Sequence, residues 1–300
     1  WLALTRCSQS SFPLSPYQDT IAMSPFFTII TSTYNAAATL PRLLDSLASQ
    51  TCRDFNWIVQ DGASSDTTMQ IVEQYRDCLP EILADSSQDS GIYDAWNKAI
   101  DRWQDKMGEW VLFLGADDML ASKHVLSRVQ NIINTLPKSI IFAAGDIVFL
   151  NNIKDLESSF KAPQSEIAFK RRIYTMPFPH NGLFTRKSAI QNKFNTAFHI
   201  AGDYDFILRE FHSPSQLKRL GLLITYMGDG GISNTPENYK IVGKEMAFAI
   251  KTYAPNYIIL FKLNYIKYFL LMTIKNYLLH SNIGLQVFLF LKKIKNKISK

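Results

Sequence analysis

The stretch FFTIITSTYN, residues 26–35, decides the architecture. Its first six residues are Phe, Thr and Ile only, a β-favouring run with no charged position. That composition suits a strand covered on both faces, which is the condition of strands in parallel sheets. Parallel neighbours need crossover connections, usually helical. The flanking sequence supplies them. Leu40, Leu43, Leu44 and Leu47 recur at helical spacing, and FNWIVQ (55–60) is a second strand that ends at Asp61. The cluster GASSDTT (62–68) then opens a helix whose apolar positions include Met69, Ile71, Val72 and Tyr75.

The alternation continues. GIYDAWNKAIDRW (91–103) reads as a helix and EWVLFLG (109–115) as a strand that ends at Ala116-Asp117-Asp118. A helix over about 122–135 and a strand over 139–149 (SIIFAAGDIVF) follow. Repeated βα units predict an α/β fold, a mostly parallel central sheet with helices on both faces. Ligands of such sheets bind at the carboxyl ends of the strands. STYN, Asp61 and Asp117-Asp118 all fall there. Residues 151–200 are less periodic, and a helix is expected near Asp203 (GDYDFILREFH). Gly228-Asp229-Gly230-Gly231 reads as a flexible loop, either an ordinary turn or a hinge over a ligand. Beyond Pro236 the chain turns helical, then strongly apolar.

Composition narrows the class. Of 300 residues, 47% are hydrophobic and 19% charged, so the chain can bury a large core and is not wholly disordered. Gly (13) and Pro (12) are ordinary, which excludes collagen-like and low-complexity chains, and no solenoid-length repeat is present. Cys7, Cys52 and Cys78 are too few and too scattered for a disulfide framework or a zinc site, and they read as reduced thiols. Residues 1–22 read as an extension outside the fold, disordered or an upstream translation artefact, with Met23 a natural start.

Asp117 and Asp118 carry the first chemical signal. Adjacent carboxylates repel unless a cation or hydrogen-bond donors offset them. Their hard oxygens suit Mg²⁺ or Mn²⁺, which commonly take diphosphate oxygens and water as further ligands. The competing reading is a solvated turn that caps the next helix.

The surrounding strings STYNAAATLPRLLDSLASQ (32–50), VQDGASSDTT (59–68), DSGIYDAWNKAI (89–100) and FLGADD (113–118) resemble the nucleotide-sugar domain of the family 2 glycosyltransferases, which have the GT-A fold. The four motifs stand in the family's order and spacing, and the likeness covers roughly 26–235. It is strongest to bacterial members that build O-antigen, capsular or other cell-surface polysaccharides. The resemblance implies two halves within 23–235, a nucleotide-sugar half over about 26–120 and an acceptor half over about 121–235. It also implies roles. Asp61 matches the acid that hydrogen-bonds the nucleotide base, and Ser32, Thr33 and Tyr34 match the loop around it. Asp89 and Gly91 match the segment along the ribose and donor sugar, with Asn97 and Lys98 one helical turn on, facing the same cleft. Asp117 and Asp118 match the metal-binding DXD-type motif, here written GADD, with Asp118 the first choice for the ion and Asp117 shared or turned to the ribose.

On the acceptor side, HIAGDYDFILREF (199–211) resembles the segment that carries the catalytic base. The family often has Glu-Asp where this chain has Gly202-Asp203. Asp203 is therefore the expected base, with Asp205 second. A helix N-terminus favours a charged carboxylate, and an N-cap is the bland role for the same residue. Arg209 is expected to meet the diphosphate or to pair with Asp205 at i+4. His180, in MPFPHNGLF (176–184), sits where relatives place a polar residue near the acceptor or diphosphate.

The net charge of +6 is concentrated in the tail. No acid follows Glu245, whereas nine lysines do, so residues 1–245 carry −3 (+6 less 9). Val287, Leu291, Ile294 and Ile298 form one helical stripe, with Lys292, Lys293, Lys295, Lys297 and Lys300 on the other side. That pattern suits a helix in a lipid interface or one packed on the enzyme body. Residues 256–279 are apolar with interrupting lysines and do not divide into faces by sequence. Residues 236–300 are thus expected to form a helical, membrane-associating extension. The combined expectation is an inverting, metal-dependent transferase that uses a nucleotide-sugar donor, expected to be UDP-linked, on a lipid-linked glycan, peripheral on the cytoplasmic face of a bacterial plasma membrane. Rival expectations are transfer to polyprenyl phosphate and a non-catalytic nucleotide- or glycan-binding subunit. Nucleic-acid binding ranks last, since no base-stacking module accompanies the lysines.

Overall fold

The computed structural model describes residues 24–150, 158–163, 173–228 and 236–279. The expectations for residues 1–22, for the loop beyond Gly228 and for a helix over 281–300 lie outside these residues.

Strands β1 (Phe27–Thr33), β2 (Phe55–Asp61), β3 (Ile82–Ser86) and β4 (Trp110–Phe113) are joined by helices α1 (Leu40–Ala48), α2 (Thr68–Gln74) and α3 (Ile92–Trp103). Next come β5 (Met119–Leu120), α4 (Val125–Ile133), β6 (Phe142–Phe149) and β7 (Ser158–Phe160). A 3-10 turn at His180–Gly182 leads into β8 (Leu183–Arg186) and the short α5 (Lys187–Ile190). Then follow α6 (Gly202–Glu210), β9 (Leu217–Met227), α7 (Pro236–Tyr253) and α8 (Ile258–Leu279).

One sheet holds the strands in the order β3-β2-β1-β4-β8-β6-β9-β5, with β7 paired to β6. β8 lies antiparallel between β4 and β6, so β6 runs with β4, and β9 is parallel to β6. Six strands therefore run one way, and β5, β7 and β8 run the other. The sheet is mostly parallel, as its first strands predict.

Side-chain alternation along each strand splits the core into two layers. On β4, Trp110 and Leu112 face the layer that takes Leu40, Leu43, Leu44 and Leu47 of α1. Val111 and Phe113 face the opposite layer, with Trp96 of α3 and Phe206 of α6. Burial on both sides explains the uncharged, largely apolar runs, and each large apolar side chain that is fully buried contributes about 1.5–3 kcal/mol. Pro41 in the first turn of α1 forfeits no helical hydrogen bond. Gly91 caps α3 at φ +131°, a backbone region that side-chain-bearing residues rarely enter.

The register carries these elements to one edge. Thr33 pairs with Asp61, and Asp61 with Ser86, so three polar residues stand side by side at the carboxyl ends of β1, β2 and β3.

Candidate active site

Asp61 is fully buried, yet both oxygens are satisfied. Thr33 Oγ1 (2.8 Å) and Ser64 Oγ (2.5 Å) donate to Oδ1, while Ser64 N (2.8 Å) and Ser86 Oγ (2.7 Å) donate to Oδ2. Burial pushes its pKa up, but the bonds from Ser64, Ser86 and Thr33 outweigh that and hold it below the ordinary carboxylate range. Four donors fill the carboxylate's acceptor positions. Asp61 thereby ties the ends of β1, β2 and β3 to the loop after β2. Above it stands Tyr34, 70% exposed, a free aromatic face at the rim. Tyr34 and Asp89 meet over the α-carbon of Gly62, and Asp89 Oδ1 accepts from Gly91 N at 3.0 Å. Ser32 is half-buried and pairs with Gln60 across β1 and β2.

Beyond Gly91, α3 presents two faces. Lys98 lies on the rim, paired with Asp94 at 3.2 Å and donating to Gln88 O at 2.6 Å. Asn97 faces the other half of the molecule, where its amide donates to Phe194 O (2.8 Å) and accepts from Phe194 N (2.9 Å).

The second corner forms where β4 ends. Asp118 is 2% exposed, and its oxygens accept from Gly115 N (2.7 Å), Gly228 N (3.3 Å) and Asn181 Nδ2 (3.4 and 3.5 Å). Burial pushes its pKa up to about 6, against the pull of His180 and of these donors. Asp117 is half-exposed, and Arg42 donates to its carbonyl oxygen. A methyl group at Gly115 would lie 2.9 Å from Asp117 Oδ1 and 3.3 Å from Asp118 Oδ2, so both carboxylates face one small space. No group of three or more His, Cys, Asp or Glu side chains among the described residues is placed to hold a metal ion by itself. Two hard carboxylates at one space fit a Mg²⁺ or Mn²⁺ ion that draws its remaining ligands from diphosphate and water.

The 3-10 turn at 180–182 joins this corner to the third. Asn181 touches Asp118, while its neighbour His180 reaches the other way, Nδ1 lying 3.1 Å from Asp203 Oδ2. Tyr204 N donates to Asp203 Oδ1 at 2.8 Å, and the Tyr93 hydroxyl, which shares its one proton between Ile200 O (2.6 Å) and this oxygen, lies 3.3 Å away. Burial lowers the His180 pKa, but Asp203, Asp118 and Asp117 together outweigh it and raise the value above the ordinary histidine range. The three carboxylates thus favour the protonated form of His180.

Asp205 and Arg209 lie apart from this group. Asp205 has no exposed surface, and burial raises its pKa despite Arg209 Nη1 at 3.5 Å. Arg209 also pairs with Glu210 at 3.0 Å and stacks on Phe206. The structure therefore brings Asp117, Asp118, His180 and Asp203 together and sets Asp205 with Arg209 inside the packed side of α6.

Three contributors escape the sequence reading. Asn181 and Tyr93 hold Asp118 and Asp203 through contacts 63 and 110 residues away. Glu245 of α7 accepts backbone N–H groups from His199 (2.7 Å), Ile200 (3.0 Å) and Ala201 (2.8 Å), which fixes the approach to α6. The one legible signal was the glycine at 202. A Cβ there would lie 2.7–2.9 Å from the Tyr93 ring, itself packed on Trp96 and Phe194. Gly202→Ala should therefore cost about 1–3 kcal/mol by overpacking and should displace the Tyr93 hydroxyl from Asp203. A lowered Tm together with a reduced kcat checks this.

A profile described as "Glycosyl transferase family 2" matches residues 28–210, which include all three corners. The chain belongs to that family. This glycosyltransferase is 34% identical over 228 residues to a "PGL/p-HBAD biosynthesis glycosyltransferase" of Mycobacterium tuberculosis, covering 74% of this chain and 82% of that protein. The crystal structure of Staphylococcus aureus TarS 1–349 in complex with UDP matches with a TM-score of 0.58 at 25% identity, covering 76% of this chain and 66% of that one. The mannosyltransferase PcManGT of Pyrobaculum calidifontis, solved with GDP-Man and Mn²⁺, shares the fold at 16% identity and a TM-score of 0.53, over 81% of this chain and 70% of that one.

Proposed function

We propose that this glycosyltransferase moves a sugar from a UDP-linked donor to a hydroxyl of a lipid-linked glycan, with inversion at the anomeric carbon. The observation that carries the reading is the His180–Asn181 turn, which links an acid at the Asp117–Asp118 corner to a separate acid, Asp203. Two acids with distinct partners divide the work, one side for the leaving diphosphate and one for the acceptor.

The base of the nucleotide stacks on Tyr34, above the loop that Asp61 holds. Asp117 and Asp118 would hold Mg²⁺ or Mn²⁺, whose positive charge offsets that gathering on the diphosphate. Asp203 accepts the proton of the acceptor hydroxyl as that oxygen bonds to the anomeric carbon. The bond from that carbon to the diphosphate oxygen breaks in the same displacement, so the configuration inverts without a covalent enzyme intermediate. His180 and Tyr93 orient Asp203 for this transfer.

The acceptor places the enzyme at the cytoplasmic face of a bacterial membrane, peripherally. Among the described residues no helix is long and apolar enough to cross a bilayer. The UDP bound by the structurally similar TarS supports the choice of nucleotide.

The test is nucleoside diphosphate release. The full chain is incubated with Mn²⁺ and a panel of UDP-, GDP- and dTDP-sugars, with and without lipid-linked acceptor extracts. Acceptor-dependent release from one UDP-sugar is the expected result. Donor binding without turnover for any acceptor would replace the enzyme reading with a binding subunit.

A further inference from the structure

Helix α8 packs on α7 through Phe261, which is buried, and Tyr265, which stacks on Tyr239 and donates to its carbonyl oxygen at 3.2 Å. The opposite side is also apolar. Ile259 (69% exposed), Leu263 (62%), Ile266 (56%) and Leu270 (55%) recur at i, i+4, i+7 and i+11 and form one continuous stripe in solvent. A helix that is apolar on two opposed sides has no single polar face, which is why residues 256–279 resist division by sequence. With about 100° per residue, Lys262 and Lys267 fall about 70° to either side of the stripe. Both are exposed.

We infer that this stripe seats α8 on an anionic bilayer surface, parallel to it, with Lys262 and Lys267 reaching up to the headgroups. Lysines on both flanks of an apolar ridge bury their stems at the acyl boundary and leave their ammonium groups among phosphates. Charge favours a lipid surface over a second copy of the chain. No acid follows Glu245, so two α8 helices placed together would crowd lysines with no carboxylate of the helix to pair them. Anionic headgroups supply that pairing. The inference extends the proposed lipid-linked acceptor, but it requires neither donor nor turnover.

The experiment is co-flotation of the full chain with phosphatidylglycerol-containing vesicles and with pure phosphatidylcholine vesicles. The wild-type protein should float with the anionic vesicles and much less with the neutral ones. Leu263→Ser combined with Ile266→Ser leaves every lysine in place and should cut partitioning at least about tenfold, since each substitution removes an apolar side chain from the interface. Both side chains are more than half exposed, so an unchanged circular dichroism spectrum and Tm confirm that the fold is intact. The inference is overturned if the wild-type protein ignores anionic vesicles, if the double variant floats as well as the wild type, or if a lipid-free wild-type dimer becomes monomeric in the double variant. A protein that floats but releases no nucleotide would sink the transferase reading and leave the docking surface standing. One that turns over but never floats would do the reverse.

Discussion

Asp203→Asn should lower kcat by roughly 10²–10⁴-fold, the usual contribution of a positioned general base, with donor affinity close to wild type. The substitution preserves shape. The Asn carbonyl can still accept from Tyr204 N, and its NH₂ can donate to Nδ1 of a His180 left neutral by the loss of the carboxylate, so the corner should fold as before. What disappears is an oxygen able to keep a proton taken from an alcohol. Donor binding should survive because Tyr34, Asp61 and Asp89 stand at or just beyond the carboxyl ends of β1, β2 and β3, whereas Asp203 comes from α6. Single-turnover rates at saturating donor, set beside calorimetric titration with UDP, separate the two quantities. A variant within about tenfold of wild-type turnover would place the base elsewhere.

The parts of this site that strand patterning alone made legible share one property: each sits at the end of a locally self-evident strand, whereas Asp203 and His180 were reached only through the family resemblance. β1, β2 and β4 are buried on both faces, so their runs are rich in large apolar residues with no charge before the end, and their ends are marked by the polar residues there. Asp61 and Asp117-Asp118 could therefore be placed at one edge before any coordinates. β8 and β9 gave no such mark. β8 is four residues long and lies antiparallel between strands distant in sequence. β9 carries Lys218 and Arg219, includes Gly221 at φ +63°, and pairs with β6 through shifts in register. Partners of side chains were less legible still. Tyr93 and Asn97 share one face of α3 by their i, i+4 spacing, and Asp94 and Lys98 share another. Only the tertiary fold decides that the first pair turns to the segment before α6 and that the second pair stays on the rim.

Asp118→Asn should abolish transfer and yet make the protein more stable at neutral pH. The Asp118 carboxylate is buried, and its pKa rises from 3.8 to about 6. A displacement of that size corresponds to roughly 3 kcal/mol against the charged form. An acid raised on folding destabilises the native state at any pH above the folded value. That penalty is absent below the unfolded pKa, grows as pH rises through about 4–6, and is constant beyond. An amide of the same shape never carries it. Part of the gain is offset, because an Asn offers one acceptor oxygen where Gly115 N, Gly228 N and Asn181 Nδ2 all donate to Asp118. Asn181 can relieve that conflict. Its buried Oδ1 lacks a hydrogen-bond partner among the described residues, so turning its amide over lets it accept from the new NH₂ group. The net stabilisation expected is about 1–2 kcal/mol, a Tm increase of a few degrees. Thermal unfolding in chelator at pH 4.5 and at pH 7.5 reads it directly, with wild type and variant close at the lower pH and the variant higher at the upper. Added Mn²⁺ should raise the Tm of the wild type and not that of the variant, since only a native-state ligand shifts the midpoint. A variant less stable than wild type at pH 7.5 without metal would mean that Asp118 is held by its donors as a structural anion, and the carboxylate pair would lose its claim to a cation.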